Sequence, residues 1–204
     1  MPCSLEHELR LTGSGYSIVA GIDEAGRGPL AGSVFASAVV LPHGFIPQGI
    51  NDSKKLTPRI RERLHRQLTS EPDVAWAVAK QTASEIDKLN ILKATHAAMR
   101  AAWGLLIPRP DHVLIDGLPV PGFPCPQTAL VGGDAISLSI AAASIIAKVE
   151  RDREMEEMDR LYPEYGFAKH KGYPTPEHFA KLRLHGPCPI HRRSFAPVAQ
   201  AELF

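Results

Sequence analysis

The sequence predicts an α/β protein, a mixed sheet flanked by helices and completed by a C-terminal helical extension. Two observations lead to this. Short β-branched apolar runs at residues 16–22 and 33–41 come early, whereas helical periodicity accumulates late, with its longest stretch at 136–161. At 204 residues the chain suits one compact domain with a small appendage, long enough to bury a core without disulfides or structural metals. The expected division is an N-terminal segment over 1–15, the main α/β domain over 16–161 and the helical extension over 162–204.

Residues 16–22 (YSIVAGI) read as a buried strand and 33–41 (SVFASAVVL) as a second, separated by Gly26, Gly28, Pro29 and Gly32. Pro42, Gly44, Pro47 and Gly49 mark a surface loop. Thr57-Pro58 opens a helix, with Thr57 as its N-cap and Ile60, Leu64 and Leu68 as its apolar face. A third strand is expected at 74–79, then a short turn capped by Ser84, then a helix over 90–106 that closes before Pro108. Residues 112–115 (HVLI) form a short strand ending at Asp116-Gly117, and 128–131 one more before Gly132-Gly133-Asp134. The long helix at 136–161 aligns Leu138, Ala142, Ile145 and Val149. Its charged second half offers Lys148–Asp152 and Arg153–Glu157 as i, i+4 pairs. Thr175 and Pro176 open a last helix that buries Phe179 and Leu182.

Hydrophobic residues at 44% and charged residues at 22% are ordinary for a folded soluble protein. No apolar run reaches the length of a membrane span, and the start, MPCSLEHELR, lacks the apolar core of a secretory signal. Cys3, Cys125 and Cys188 are odd in number, widely spaced and free of Cys-x-x-Cys, as in a reduced cytoplasmic protein. Nothing requires more than a monomer. Net charge is +1, yet residues 52–66 hold six Lys or Arg against two acids, and 165–195 hold six against Glu177 alone. Such stretches suit phosphate contact, and they equally describe solvated faces.

Asp23-Glu24 follows one expected strand, Asp116 another, and Asp134 a third. If these strands are neighbours, their C-terminal ends gather the carboxylates. Acids so gathered repel one another unless cations neutralise them, and hard oxygen ligands select Mg²⁺ or Mn²⁺ rather than zinc. Two such ions, ~4 Å apart, activate water and stabilise the leaving oxygen of a phosphodiester. A lone aspartate after a strand also serves as an ordinary turn residue. Gly26-Arg27-Gly28 lets backbone approach a ligand and offers Arg27 to a phosphate, or is a glycine-rich turn with an exposed arginine. It matches neither GxGxxG nor a Walker loop. Lys54 and Lys55 sit where a helix-flanking charge cluster or a backbone contact would, and Tyr173 lies in a constrained loop where a ring stacks on a sugar or packs inward. Cys188 with His185 and His191 lacks the partner cysteines of a zinc site, and Ser144 lies in a small-residue helix without a nucleophile elbow.

In order along the chain stand GIDEAGRGPLAG (21–32), NDSKKL (51–56), EIDKLNIL (85–92) and VLIDG (113–117). They continue with GDAISLSIAAASIIAKVERD (133–152), YGFAKHKGYPT (165–175) and HRRSF (191–195). Together these motifs resemble bacterial ribonuclease HII over about residues 19–198. The resemblance implies a ribonuclease H-like sheet with a C-terminal helical extension. It implies an endonuclease acting on RNA–DNA hybrids and on single ribonucleotides in duplex DNA, through two-metal hydrolysis that leaves 5′-phosphate and 3′-hydroxyl ends. The family's four acidic ligands fall on Asp23, Glu24, Asp116 and Asp134. Its junction-reading elements fall on Gly26, Arg27, Gly28 and Tyr173, as suits a task in which only a 2′-hydroxyl separates RNA from DNA. Gly132 stands where many relatives carry a polar residue, and Ala196 where a glycine is frequent. A non-catalytic hybrid-binding module and a DNA junction resolvase on the same fold are the alternatives. The intact acidic set disfavours the first, the GRG and HKGYP elements the second.

Overall fold

The computed structural model describes residues 3–47, 49–50 and 56–201. Its elements run α1 (Glu6–Gly13), β1 (Val19–Ala25), β2 (Val34–Val40), α2 (Pro58–Ser70), β3 (Ala75–Gln81), α3 (Ala83–Leu89) and α4 (Ile91–Leu105). They continue β4 (His112–Asp116), β5 (Gln127–Leu130), α5 (Leu138–Leu161), α6 (Phe167–His170), α7 (Pro176–His185) and α8 (Ala196–Ala201). The five strands form one mixed sheet in the order β3-β2-β1-β4-β5. β1 pairs antiparallel with β2 and parallel with β4, and β4 pairs parallel with β5. The central strands are apolar on both sides because both faces are covered. Ala20 and Ile22 of β1 meet Ala98, Met99 and Ala102 of α4, while Val19 packs with Ile140 of α5 on the other face.

α5 lies directly on the sheet. A Cβ built on Gly21 would come within 2.2 Å of the backbone at Ser139 and Ile140, so only glycine admits the helix at this distance. Its first ten residues, Leu138 to Ala147, are buried all round between the sheet and α2. The single apolar face expected there is therefore too narrow: serines and alanines that look like a polar side are close-packing residues. Ser137 caps the helix by accepting from the Ile140 N–H.

Several expectations need correction. β1 starts and ends three residues later than the apolar run suggests, so Asp23 and Glu24 lie in the strand rather than after it. The residues before Val19 make a turn tied to Asp111, whose carboxylate accepts from the Ser17 and Ile18 N–H groups. Thr82, not Ser84, caps α3, through a reciprocal capping box with Glu85. Arg153 pairs with Glu62 and Glu150 rather than Glu157, whereas Lys148–Asp152 forms at 2.6 Å. The N-terminal stretch is a helix, α1, whose buried Glu8 accepts from the Ser137 and Ser139 hydroxyls and the Ser139 N–H. That tertiary contact, not local propensity, holds it in place.

The elements after α5 fold back over the loop that follows β1. Ala31 packs among Met155, Tyr165, Phe167 and Cys188, and Leu30 among Leu182 and Val198. The helical extension thereby roofs the carboxylate-bearing end of the sheet. Gly21→Ala should lower thermal stability by about 2 kcal/mol or more, a drop of roughly 4–8 °C for a chain of this size, because strand and helix must separate. A melting curve with the same variant placed at exposed Gly13 as a control checks this.

Candidate active site

The parallel register of β1 and β4 aligns Ile22 with Ile115, so the next residue on each strand, Asp23 and Asp116, stand side by side. After β5 the chain turns through Gly132 in the left-handed region, φ 68°, into a 3-10 turn over Gly133–Ala135 that carries Asp134. The Gly133 N–H donates to Asp116 Oδ1 at 2.7 Å, tying this turn to the end of β4. Asp23, Asp116 and Asp134 each present an oxygen, all within 4.8 Å of one another. Such a donor set fits a hard divalent cation. A side chain at Gly132 would meet nothing within 4 Å, so the departure there leaves the Asp134 turn unobstructed, although φ favours glycine.

Asp23 is 3% exposed and its carboxyl is held well above the usual carboxylate range. Burial is the main cause, followed by repulsion from Glu24 and Asp116. Hydrogen bonds from the Ser144 hydroxyl and the Glu24 N–H oppose the rise, the latter at 2.7 Å. The arrangement favours either a proton or a cation among the acids.

A cleft of about 220 Å³ joins the carboxylates to the loop after β1 and to the extension. Asp23, Glu24 and Asp116 line it together with Gly26, Arg27, Gly28, Ser144, Lys148 and Tyr173. The cleft thus gathers the expected site residues except Asp134, which does not line it but stands with Asp23 and Asp116 in the acidic cluster, while Lys54 and Lys55 lie outside the described residues. Ser144 and Lys148 are additions. Ser144 is more than a packing residue, since its hydroxyl faces Asp23, and Lys148 sits 5.7 Å from the Tyr173 ring centroid. Ile140, Ser144 and Lys148 share one stripe of α5, but that spacing alone does not mark which face meets a carboxylate.

Two buried arginines shape the cleft wall. Arg192 donates to the carbonyls of Gly26 at 2.5 Å, Arg27 at 3.0 Å and Gly32 at 3.0 Å. Arg151 donates to those of Ser33, Ala31 and Lys171, joining the β1–β2 loop to the Tyr173 loop. A Cβ on Gly26 would sit 2.1 Å from Arg151 Nε, which with φ 98° explains glycine there. Burial, then the neighbouring Arg151 charge, brings the Arg192 guanidinium down to about 9, still charged at neutral pH. Cys188 and His191, considered above as zinc ligands, instead contact one another, with Sγ 3.1 Å from Nδ1.

Comparison with known structures defines the class first. The ribonuclease H2 of Pyrococcus horikoshii OT3 superposes with a TM-score of 0.78 at 30% identity, over 92% of this chain and 98% of that one. A ribonuclease HIII, Bst-RNase HIII, solved in complex with Mn²⁺, shares the fold with a TM-score of 0.68 at 18% identity, over 91% of this chain and 69% of that one. The fold is that of the ribonucleases H, metal-dependent endonucleolytic hydrolases, and the acidic cluster is compatible with metal binding. The family model described as Ribonuclease HII matches residues 20–198, and a Ribonuclease HII of Desulfitobacterium hafniense is 56% identical over 196 residues, 96% of this chain and 75% of its own. The chain belongs to the ribonuclease HII family. Among the described residues no helix is long and apolar enough to cross a membrane.

Two outcomes are expected from this geometry. A carboxyl whose pKa is raised by folding binds its proton more tightly folded than unfolded, so it subtracts stability as pH rises from the ordinary aspartate value toward the raised one. Asp23→Asn removes that loss. It should raise the metal-free melting temperature at pH 7 by a few degrees, at roughly 2–4 °C per kcal/mol, and abolish most of the rise that Mn²⁺ gives the parent. Differential scanning calorimetry with EDTA or Mn²⁺ checks both. Arg192→Lys, which keeps the charge but loses the fork onto Gly26 and Arg27, should cost about 2–4 kcal/mol in urea unfolding.

Proposed function

We propose that this protein hydrolyses the RNA strand of RNA–DNA hybrids and cuts on the 5′ side of single ribonucleotides embedded in duplex DNA. The products would carry 5′-phosphate and 3′-hydroxyl ends. The observation that carries the reading is the shared cleft, in which the carboxylates stand beside the Gly26–Arg27–Gly28 loop and Tyr173. Hydrolysis alone needs the acids. Selecting a ribonucleotide needs groups that feel one 2′-hydroxyl, and backbone approaching closely through glycines provides them.

Asp23, Glu24, Asp116 and Asp134 would hold two Mg²⁺ or Mn²⁺ ions with substrate, and the Mn²⁺ bound by Bst-RNase HIII on the same fold supports that choice. When bound, such cations supply polarisation of the phosphate and a nucleophilic water at neutral pH. The protein's own groups do the positioning. The Ser144 hydroxyl orients Asp23 and the Gly133 N–H orients Asp116, both from buried positions. Arg27, more than half of whose side chain is shielded by neither loop, is free to swing from Glu24 at 3.2 Å to a phosphate. Tyr173 presents its ring beside Gly28, where it would pack against the sugar next to the scissile bond. Lys148 adds positive charge beside that ring. In this reading residues 162–204 serve as a substrate-binding extension of the domain over 16–161. The enzyme works as a monomer in the cytoplasm, where its free thiols Cys3, Cys125 and Cys188 stay reduced.

The test is cleavage of a DNA duplex carrying one ribonucleotide, with Mg²⁺ or Mn²⁺, beside an all-DNA control and EDTA. Cutting 5′ to the ribonucleotide, absent from the control and from EDTA, is the expected result. Asp116→Asn should lower the rate by at least about 10³-fold, since several kcal/mol of charge stabilisation is lost. Tight binding without cutting of this substrate or of a long hybrid would instead make the protein a hybrid-binding module.

A further inference from the structure

Behind Tyr173, away from the cleft, lies a row of buried histidines. His178 and His191 are essentially inaccessible to solvent and their Nε2 atoms are 3.0 Å apart. Their protons can be assigned from the fixed donors and acceptors around them. The His178 Nδ1 is 3.0 Å from the Tyr173 carbonyl, which can only accept, so Nδ1 carries the proton. The His191 Nδ1 is 3.0 Å from the Cys188 N–H, which can only donate, so the proton of His191 is on Nε2. One directional chain results: Cys188 N–H to His191, His191 Nε2–H to His178, and His178 Nδ1–H to the carbonyl of Tyr173. His170, stacked on His178 with ring centroids 4.5 Å apart, closes the other side of the turn by accepting the Gly172 N–H at Nδ1. The next carbonyl back, on Gly172, takes the Leu30 N–H of the β1–β2 loop at 2.8 Å.

We propose that His178, backed by His191, is a positioning residue that sets the height of Tyr173 over the cleft, and through it the enzyme's discrimination of a ribonucleotide junction. The inference rests on the reading of Tyr173 as a junction-examining residue. The bonds fix backbone on either side of the Tyr173 Cα, which leaves its ring rotation as the remaining freedom. Burial holds both His178 and His191 down at about 4, so both stay neutral and the directional chain persists at physiological pH. Protonating His178 would set two N–H groups against each other.

The side chains that mimic each ring nitrogen separate positioning from space filling. An asparagine amide nitrogen lies as many bonds from Cα as Nδ1, and a glutamine amide nitrogen as many as Nε2. His178→Asn therefore retains the donor to the Tyr173 carbonyl, whereas His178→Gln does not, and His178→Phe keeps ring volume and stacking but neither nitrogen. On a duplex with one embedded ribonucleotide, His178→Phe should cut about 10–100-fold more slowly, His178→Asn should recover most of that loss, and His178→Gln should not. Mn²⁺ affinity should be unchanged in all three. Tyr173→Ala and His178→Phe combined should cost no more than Tyr173→Ala alone. Parent-like cutting by His178→Phe, a Phe variant better than Asn, or fully additive losses would overturn the proposal, since a mere core residue behaves that way. Nitrogen-15 spectra of the imidazoles provide an activity-independent arm, expected to show Nδ1–H on His178 and Nε2–H on His191. The opposite tautomers would overturn the positioning chain itself. If Tyr173→Ala cuts as well as the parent while the tautomers are as assigned, the junction reading of Tyr173 is what fails.

Discussion

The seating of α5 directly on β1 is the constraint from which the rest of this molecule follows. Gly21 leaves no side chain between strand and helix, so the helix backbone comes to rest where a Cβ would be. That closeness brings Ser144 within hydrogen-bonding reach of Asp23, and the turn leading into α5 carries Asp134 to the acids of β1 and β4. A larger residue would push the helix outward, and the acids of β1 and β4 would lose the third carboxylate. α1 reinforces the same contact from outside, its Glu8 gripping the first turn of α5.

Gathering acids in this way is costly, and the structure offsets the cost locally. Asp23 receives two hydrogen bonds that favour its charged form against burial and repulsion, and Asp116 accepts from the Gly133 N–H. A site of this kind is poised for cations, because their binding relieves a repulsion already built into the fold. The neighbouring wall reverses the sign. Arg151 and Arg192 are buried among backbone carbonyls, whose dipoles replace the water that the guanidiniums have lost. The two guanidiniums do not face the cleft; they lie behind it and hold the loops that line it.

The two loops that face the carboxylates have no regular secondary structure of their own, yet their carbonyls are individually held. Arg192 takes those of Gly26 and Arg27, Arg151 takes that of Lys171, and His178 that of Tyr173. Fixing these carbonyls inward holds Gly26, Arg27, Gly28 and Tyr173 where they line the cleft. Rigid loops on a rigid sheet provide preorganised contacts, with little ordering entropy left for substrate binding to overcome.

The sequence by itself determined the local and the chemical parts of this account. Thr57 and Thr175 announce their helices because capping is a contact within three residues, whereas the caps Asn90 and Ser137 read from the sequence as part of theirs. The placing of Asp23-Glu24, Asp116 and Asp134 at strand ends was legible from short apolar runs, and the ordered motifs carried the family. Less was legible where distant segments supply the energy. The start of β1 was misplaced because Tyr16 to Ile18 are drawn into a turn by Asp111, far along the chain. Helix α1 was missed because its anchor is in α5. Ser144 read as a packing residue because nothing local marks which buried helix face meets a carboxylate. The roles of Arg151, Arg192, His178 and His191 were invisible for the same reason. A buried polar group is defined by its partners, and only the tertiary structure decided that those partners would be the carbonyls of the loops framing the site.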